Sequence, residues 1–489
     1  MRPRVLGTAL AALVALVAAL LAAPTSPPAS AAGPSLGAPT DLRTTVVAGQ
    51  KAIRVTWSPP SSGVPAGLAY EVLLDGEVVD TSILETTYTI TDPGLVVGHT
   101  YDVGVRATVV ASHSATVSTA QQLYIAPVTT VQSANPSNPL AGREWGVYTG
   151  LQDQAVIGWR AAGYPDKLAP IAMIHKAKFF GNWIPDAQVY QQTKDYIEGA
   201  QAGDPERLTI LTLFRMFPWE GKASILQRLP TPAEQASYKS YVTNVARAIG
   251  DNRVAVVLQP DGFFAWKAYH TLKPKVGRKQ ALLPARMLAW TSKTLDAAGP
   301  NVSVYVDMGS EDWALGKVAP VAKFLKLCGV EYARGFSLDV SHKNYLDREI
   351  LFAQKVSQAL AAMGLKNKHA VIDTSDNGQP FAGKEINPPG SHQPYTPPGE
   401  IDPCTKKNQG TPCTALGVPP TTDVDNPAWD LGAEVNKAAA RYVDAYLWVS
   451  RPWLPDQGQG GTKFSPDFAS RLLKTWTFSP YEPFTAKGT

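Results

Sequence analysis

Cysteine is scarce. Three residues in 489 are too few for a disulfide framework or for most multi-cysteine zinc modules. The seven histidines form no H-x-H or H-x-x-x-H pair, so the common metal-ligand spacings are missing and no metal or other cofactor is expected. Beyond the first ~30 residues, no apolar run reaches the roughly 20 residues of a membrane span. Charge of one sign is lacking too. Forty-five Lys and Arg face 41 Asp and Glu for a net +4, of which Arg2 and Arg4 supply two. Without a contiguous basic run, nucleic acid is not an expected partner. Hydrophobic residues make up 44% and charged residues 18%, a globular composition that excludes a disordered chain. No G-x-G-x-x-G follows an early strand, which argues against a dinucleotide fold.

The chain begins with Met1-Arg-Pro-Arg4, followed by an Ala/Leu/Val stretch over 5–23 and a Pro/Ser-rich segment ending in Ala29-Ser30-Ala31. Basic start, apolar run and small-residue end predict a secretory leader over 1–32. The mature protein is therefore expected outside the cell, with no membrane attachment once the leader is cleaved, and as a monomer. An oxidising compartment changes the cysteine reading. Cys404 and Cys413 lie nine residues apart in a Pro/Gly/Asn-rich stretch and are expected to form a disulfide. Cys328 ends an apolar helical run and reads as a buried free thiol.

Residues 36–125 read as short strands separated by turns. Ile53-Arg-Val-Thr-Trp57 alternates apolar and polar residues and is stopped by Ser58-Pro59-Pro60. Tyr70-Glu-Val-Leu-Leu74 runs into Asp75-Gly76, a hairpin signal. Pro39, Trp57 and Leu95-Val-Val-Gly98-His-Thr-Tyr101 resemble the opening proline, buried tryptophan and tyrosine corner of a fibronectin type III domain. That resemblance implies an all-β sandwich acting as a spacer or interaction module. Residues 126–137 read as a linker, with a second domain over 138–489. Deleting the chain to about Ala134 is expected to leave that domain folded and active.

In the second domain strands alternate with helices. Thr231-Pro232-Ala233-Glu234 is a capping box with proline at the first helical position. Apolar strands are expected at 254–258, 302–306, 335–340, 370–372 and 446–449, and a helix at 346–363. The alternation predicts a parallel sheet wrapped by helices, closed as a β/α barrel. Acids follow several of these strands: Asp261, Asp307, Asp339 and Asp373, with Glu220 and Asp456 in comparable loops. In a barrel such positions meet at the C-terminal face, where sites are built. Aromatics join them: Trp183, Trp219, Phe263, Trp266, Trp313 and Trp453. Paired carboxyls beside aromatic platforms describe a carbohydrate cleft.

Ordered segments then carry a resemblance from Asn138-Pro-Leu-Ala-Gly142 to the C-terminus. Val256-Val-Leu-Gln-Pro-Asp261 is similar to V-V-L-E-P-D of glycoside hydrolase family 6, inverting cellulases of endoglucanase and cellobiohydrolase type. Val304-Tyr-Val-Asp307-Met-Gly309 with Trp313, Gly335-Phe-Ser-Leu-Asp-Val-Ser341, Val371-Ile-Asp-Thr-Ser-Asp-Asn-Gly378, Asn387-Pro-Pro-Gly390 and Asp444-Ala-Tyr-Leu-Trp-Val449 continue the match. The resemblance implies a distorted parallel barrel and hydrolysis of β-1,4-linked glucan. It makes Asp261 the general acid. Of the other catalytic carboxyls, Glu220 is a candidate for tuning Asp261 or positioning the water, Asp456 for the base or a sugar ligand, which the resemblance does not settle, and Asp307 for supporting Asp261. The aromatic platforms and the matched motifs together make Trp183, Trp219, Trp266, Trp313, Asp339, Asn387, Trp448, Arg451 and Trp453 the residues expected on the substrate. The chain departs from the family pattern at Glu220, where an aspartate is usual, and at Gln259, where E-P-D has a glutamate. Two alternatives stay open: a carbohydrate-binding barrel weakened in turnover, and a hydrolase for a different polysaccharide.

Overall fold

The computed structural model describes residues 36–47, 51–61, 64–96, 99–110, 112–123, 132–163, 165–216, 228–314, 317–378, 403–404, 413–454 and 464–478. The leader over 1–32 lies outside them. The first unit has strands β1 (Thr40–Val46), β2 (Ile53–Ser58), β3 (Ala69–Leu74), β4 (Glu77–Ile83), β5 (Thr87–Ile90), β6 (Thr100–Val109), β7 (Ser112–His113) and β8 (Val117–Gln122). They form two antiparallel sheets, β1-β2-β5 and β4-β3-β6-β7, with β8 also on β6. Inward residues of both sheets, among them Ile53, Val55, Trp57, Val72, Val103 and Val105, make one core, the arrangement of a fibronectin-like sandwich. Asp75 and Gly76 join β3 to β4 with φ of 51° and 84°, the double positive φ that a two-residue hairpin demands. Tyr101 Oη accepts the Val96 amide at 2.7 Å, closing the corner that the sequence suggests.

The second unit contains seven parallel strands: β9 (Lys178–Gly181), β10 (Thr209–Phe214), β11 (Val254–Leu258), β12 (Val302–Asp307), β13 (Gly335–Leu338), β14 (His369–Asp373) and β15 (Val443–Leu447). Each pairs with the next in sequence order. Helices α1 (Gln154–Ala161), α2 (Ala169–Ala172), α3 (Val189–Gln201), α4 (Pro232–Ile249), α5 (Phe263–Ala281), α6 (Leu283–Asp296), α7 (Glu311–Ala314), α8 (Val318–Leu327), α9 (Leu346–Ala362), α10 (Ala433–Tyr442) and α11 (Pro466–Lys474) supply the outer layer. Outward strand residues such as Val256, Val304 and Phe336 pack on these helices. Inward ones, Ile210, Ala255, Val257, Tyr305, Val371 and Leu447, fill the barrel. The Thr231 capping box forms as expected.

The barrel is not fully closed. Among the described residues β9 and β15 share no ladder. The Ala177 amide donates to the Trp448 carbonyl at 2.9 Å, and Thr421 makes a two-bond antiparallel bridge with Tyr446. An aromatic cluster including Trp159, Trp448, Trp453 and Trp476, on and between α1, α2 and α11, packs beside this seam. At the opposite, N-terminal end Leu140 and Trp145 plug the barrel.

Three expectations are corrected here. The last strand starts at Val443, three residues earlier than expected, because Asp444 is buried by partners rather than exposed in a loop. Its carboxylate takes two bonds from Arg334 at 2.8 and 2.9 Å and one from Tyr305 Oη at 2.8 Å. Trp448 and Trp453 are 0% and 1% exposed, so they seal the seam and present no face to a sugar. The end of the expected linker is docked: the Gln132 carbonyl accepts Thr422 Oγ1 at 2.8 Å, and Ser133 Oγ accepts Asn138 Nδ2 at 3.2 Å. A cut before Gln132 should therefore leave thermal stability of the barrel unchanged. A cut after Ala134 should lower it by about 1–3 kcal/mol, since each hydrogen bond is worth about 0.5–1.5 kcal/mol. Thermal melting of the two truncations checks this.

Candidate active site

The C-terminal ends of the strands turn sharply. Gln259, Asp261, Asp339 and Ser341 all have positive φ, between 57° and 63°, a conformation that costs energy for residues with a Cβ and that gathers at functional sites. Asp261 sits just past β11, on the turn into α5, and is partly exposed. Burial pushes its carboxyl up to about 6, and nearby Lys267 pulls in the opposite direction. No donor among the described residues hydrogen-bonds it.

Asp307 ends β12 inside the barrel and is fully buried. Its Oδ1 accepts the amides of Gly262 and Gly309, each at 3.1 Å, and its Oδ2 accepts Ser337 Oγ at 2.9 Å. Burial still holds this carboxyl well above the usual range, and the Asp261 charge adds to the rise. Gly262 makes the contact possible, since a Cβ there would lie 2.2 Å from the Asp307 carbonyl oxygen. Asp307 thus fixes the backbone next to Asp261 and raises the cost of a second negative charge.

Gln259 joins neighbouring strand ends. Its Oε1 accepts the amides of Arg215 and Met216 at 3.3 and 3.1 Å, at the exit of β10. Arg215 bonds Asp186 at 3.1 Å and Ser237 at 2.8 Å. Glu220 and Trp219 lie beyond this exit, outside the described residues, as do Asn387 and Asp456.

The remaining acids on this rim are structural ties. Asp373 Oδ1 accepts Ser375 and Val449 amides, and its Oδ2 accepts the Ser450 amide and hydroxyl at 2.8 and 2.5 Å. Asp339, expected to touch substrate, is 0% exposed, with its oxygens on the Asn344 amide and Asn377 Nδ2. It braces the rim from behind. Sequence reasoning missed Glu349, whose Oε1 gathers Ser310, Glu311 and Asn344 donors. It lies on the face of α9 that reads as core, and only its charge at a buried helical position marked it.

The aromatics divide similarly. Trp183 is 53% exposed at the end of β9, and a Cβ on Gly181 would fall 2.2 Å from its ring. Trp266 and Trp313 are half-buried and contact Phe263 at 4.9 and 6.3 Å between centroids. Arg451 follows β15 and lies over the Phe179 ring at 5.3 Å. Away from the rim, Cys404 and Cys413 form a disulfide with Cα atoms 4.9 Å apart, and Cys328 is a buried free thiol.

Several of these buried acids make stability depend on pH. Burial lifts Asp376 to about 7 and Glu349 to about 8, and lifts Asp339 well above its usual value. Unfolded carboxyls titrate near 4. A raised folded pKa means that the native state holds the extra protons, so this stability is complete below about 4 and is lost as pH climbs through 7–8. His175, lowered by burial to about 4, acts oppositely, but only as pH falls below about 6.5. Melting temperature should therefore drop on the order of 5 °C between pH 6 and pH 8.5. Asp376→Asn should flatten that slope, and calorimetry across the range checks both.

A parallel barrel left unladdered between its first and last strands, with carboxyls and aromatic rings on its C-terminal rim, is the architecture of a carbohydrate-cleft protein. The chain belongs to family 6 of the glycosyl hydrolases, whose sequence profile matches residues 152–464. It is 29% identical over 248 residues to endoglucanase A of Cellulomonas fimi, covering 50% of this chain and 49% of that protein. The chain thus spans about half the length of that relative. It is 26% identical over 244 residues to endoglucanase 1 of Streptomyces halstedii, covering 49% of this chain and 71% of the relative. An endoglucanase from Mycobacterium tuberculosis, solved with methyl-cellobiosyl-4-deoxy-4-thio-beta-D-cellobioside, superposes with a TM-score of 0.50 at 27% identity, over 69% of this chain and 98% of that one.

Proposed function

We propose that the protein is a secreted, inverting glycoside hydrolase acting on β-1,4-linked glucan. The observation that carries this reading is Asp261. Its carboxyl lies at the barrel rim with a pKa raised to about 6, beside an Asp307 locked by three donors. A general acid must hold a proton near the working pH, and burial favours that for Asp261. In this reading Asp261 protonates the leaving oxygen. Inversion then needs a second group about 6.5–9.5 Å away that directs water to the opposite face of the sugar. Glu220 and Asp456 are the candidates for that group, one tuning the acid or guiding water, the other acting as base or sugar ligand. Trp183, Trp266 and Trp313 offer ring faces to the glucan, and Arg451, over the Phe179 ring, is a further candidate contact. Asp307 supports the acid. The sandwich serves as a spacer.

The test is reducing-sugar release from a panel of soluble β-glucans, with Asp261→Asn alongside and the anomer of the first product followed by NMR. Release of the α-anomer by the wild type, lost in the variant, is the expected result. Binding to a glucan without hydrolysis of any would instead make this a carbohydrate-binding barrel.

A further inference from the structure

Charge is balanced along most of the chain but not beside Asp261. From Gly262 to Leu295 there are seven Lys and Arg and no Asp or Glu, whereas the rest of the sequence has more acids than bases. Lys273, Lys275, Arg278, Lys279 and Arg286 are exposed, and none of these five forms an ion pair among the described residues. Self-repulsion of this kind is costly unless a partner relieves it.

The fold puts this surface on the rim of the cleft. In a β/α barrel one helix normally carries the chain from the top of one strand back to the foot of the next. Here α6 performs that return, packing on β12, α4 and α8. Helix α5 is additional. It packs on α6, and its Ala268 and Leu272 meet Leu229 just ahead of α4. Both α4 and α6 start at the C-terminal side, so α5 lies along that side, and Gly277 (φ 76°) breaks it before α6 descends. The bordering acid from α4, Glu234, is already engaged by Arg228 at 2.7 Å. Half-buried Trp266 and Tyr269 lie among the cations, Trp266 edge-on to His270 at 5.4 Å and Tyr269 beneath Lys273 Nζ at 5.8 Å.

We propose that the α5 rim binds the carboxylates of an anionic β-glucan as the polymer passes Asp261. Rings provide stacking for sugar faces, and the surrounding Lys and Arg provide charge for pendant or uronic carboxylates. This inference rests on the glucan-hydrolase reading and narrows its substrate class. Exposed charges act through water, so the attraction is screened by salt, over about 10 Å at 0.1 M.

The full chain is run by affinity electrophoresis through carboxymethylcellulose and through hydroxyethylcellulose, which share a backbone and differ in charge. The variant is Lys273→Gln/Lys275→Gln/Arg278→Gln/Lys279→Gln. Wild-type affinity for the carboxymethyl polymer should fall about tenfold between 20 and 500 mM salt and by a similar factor in the variant. Binding and hydrolysis of the neutral polymer should stay unchanged. If the fourfold variant does not fold, Lys273→Gln/Arg278→Gln is read the same way, with a loss of about threefold. Equal, salt-insensitive retardation of wild type and variant by the charged polymer overturns the proposal. So does retention by anionic phospholipid vesicles without retention by the polymer. Hydrolysis of neither polymer, with salt-sensitive binding intact, defeats the hydrolase reading and leaves the charged rim standing.

Discussion

Asp261→Asn is expected to reduce turnover of a soluble β-glucan by about a thousandfold, within the usual span for a lost general acid. Asparagine keeps the size of the side chain and the strained turn but cannot deliver a proton to the leaving oxygen. The defect should shrink sharply on a dinitrophenyl glycoside, whose leaving group departs without protonation. A merely structural role would depress both substrates alike. The wild type supplies the companion measurement. Because the acid works while protonated, kcat/KM should fall on the alkaline side through a limb centred near 6, the value to which burial lifts Asp261. A limb centred above 8 would assign proton delivery to another group.

Asp444→Ala is expected to lower stability by about 3–5 kcal/mol, the cost of breaking a buried ion pair, and melting by on the order of 10 °C. The Asp444 side chain has no exposure. It binds Arg334, Tyr305 and, at 3.3 Å, His369 Nδ1, and its carbonyl accepts Asn138 Nδ2 at 2.6 Å. Removing it strands the Arg334 cation. Deleting both partners should therefore cost less than the sum of the single changes. The contact lies at the N-terminal end of the barrel, so specific activity per folded molecule should persist. Thermal melting of the two single variants and the double variant, with activity measured well below the transition, separates these outcomes.

Local signals in the sequence were the ones that survived folding. The Thr231 box, the Asp75-Gly76 hairpin and the Tyr101 corner are each decided within a few residues, so their chemistry is visible without the rest of the chain. Asp261 and Asp307 stand out in the sequence as acids at the ends of apolar strands, and the structure puts them just past β11 and at the end of β12. Asp373 looked the same, yet it ties β14 to Ser450 after β15, a partner 77 residues away. Spacing cannot distinguish the two cases. Trp448 and Trp453 misled for a related reason. A tryptophan after a strand reads equally as sugar platform or seal, and only the seam between β9 and β15 decides. The strand expected from Tyr446 begins earlier, at Val443, because the partner that neutralises Asp444 is Arg334, 110 residues upstream.

The seam has a mechanical consequence. A closed ring of strands has no end from which to unravel: opening it requires two ladders to break at once. Here the seventh junction is crossed by one amide from Ala177, just before β9, while Tyr446 of β15 pairs with Thr421 instead, so each terminal strand is held by a full ladder on one side only. Peeling β9 exposes four residues and leaves six strands in register. Amide exchange should therefore be fastest at β9, slower at β15 behind its Thr421 bridge, and slowest at β11 and β12 in the middle of the curved sheet. Asp307 ends β12, the central strand of the seven, and Asp261 follows its neighbour β11, behind β10, so partial opening at the seam leaves the two carboxyls in place.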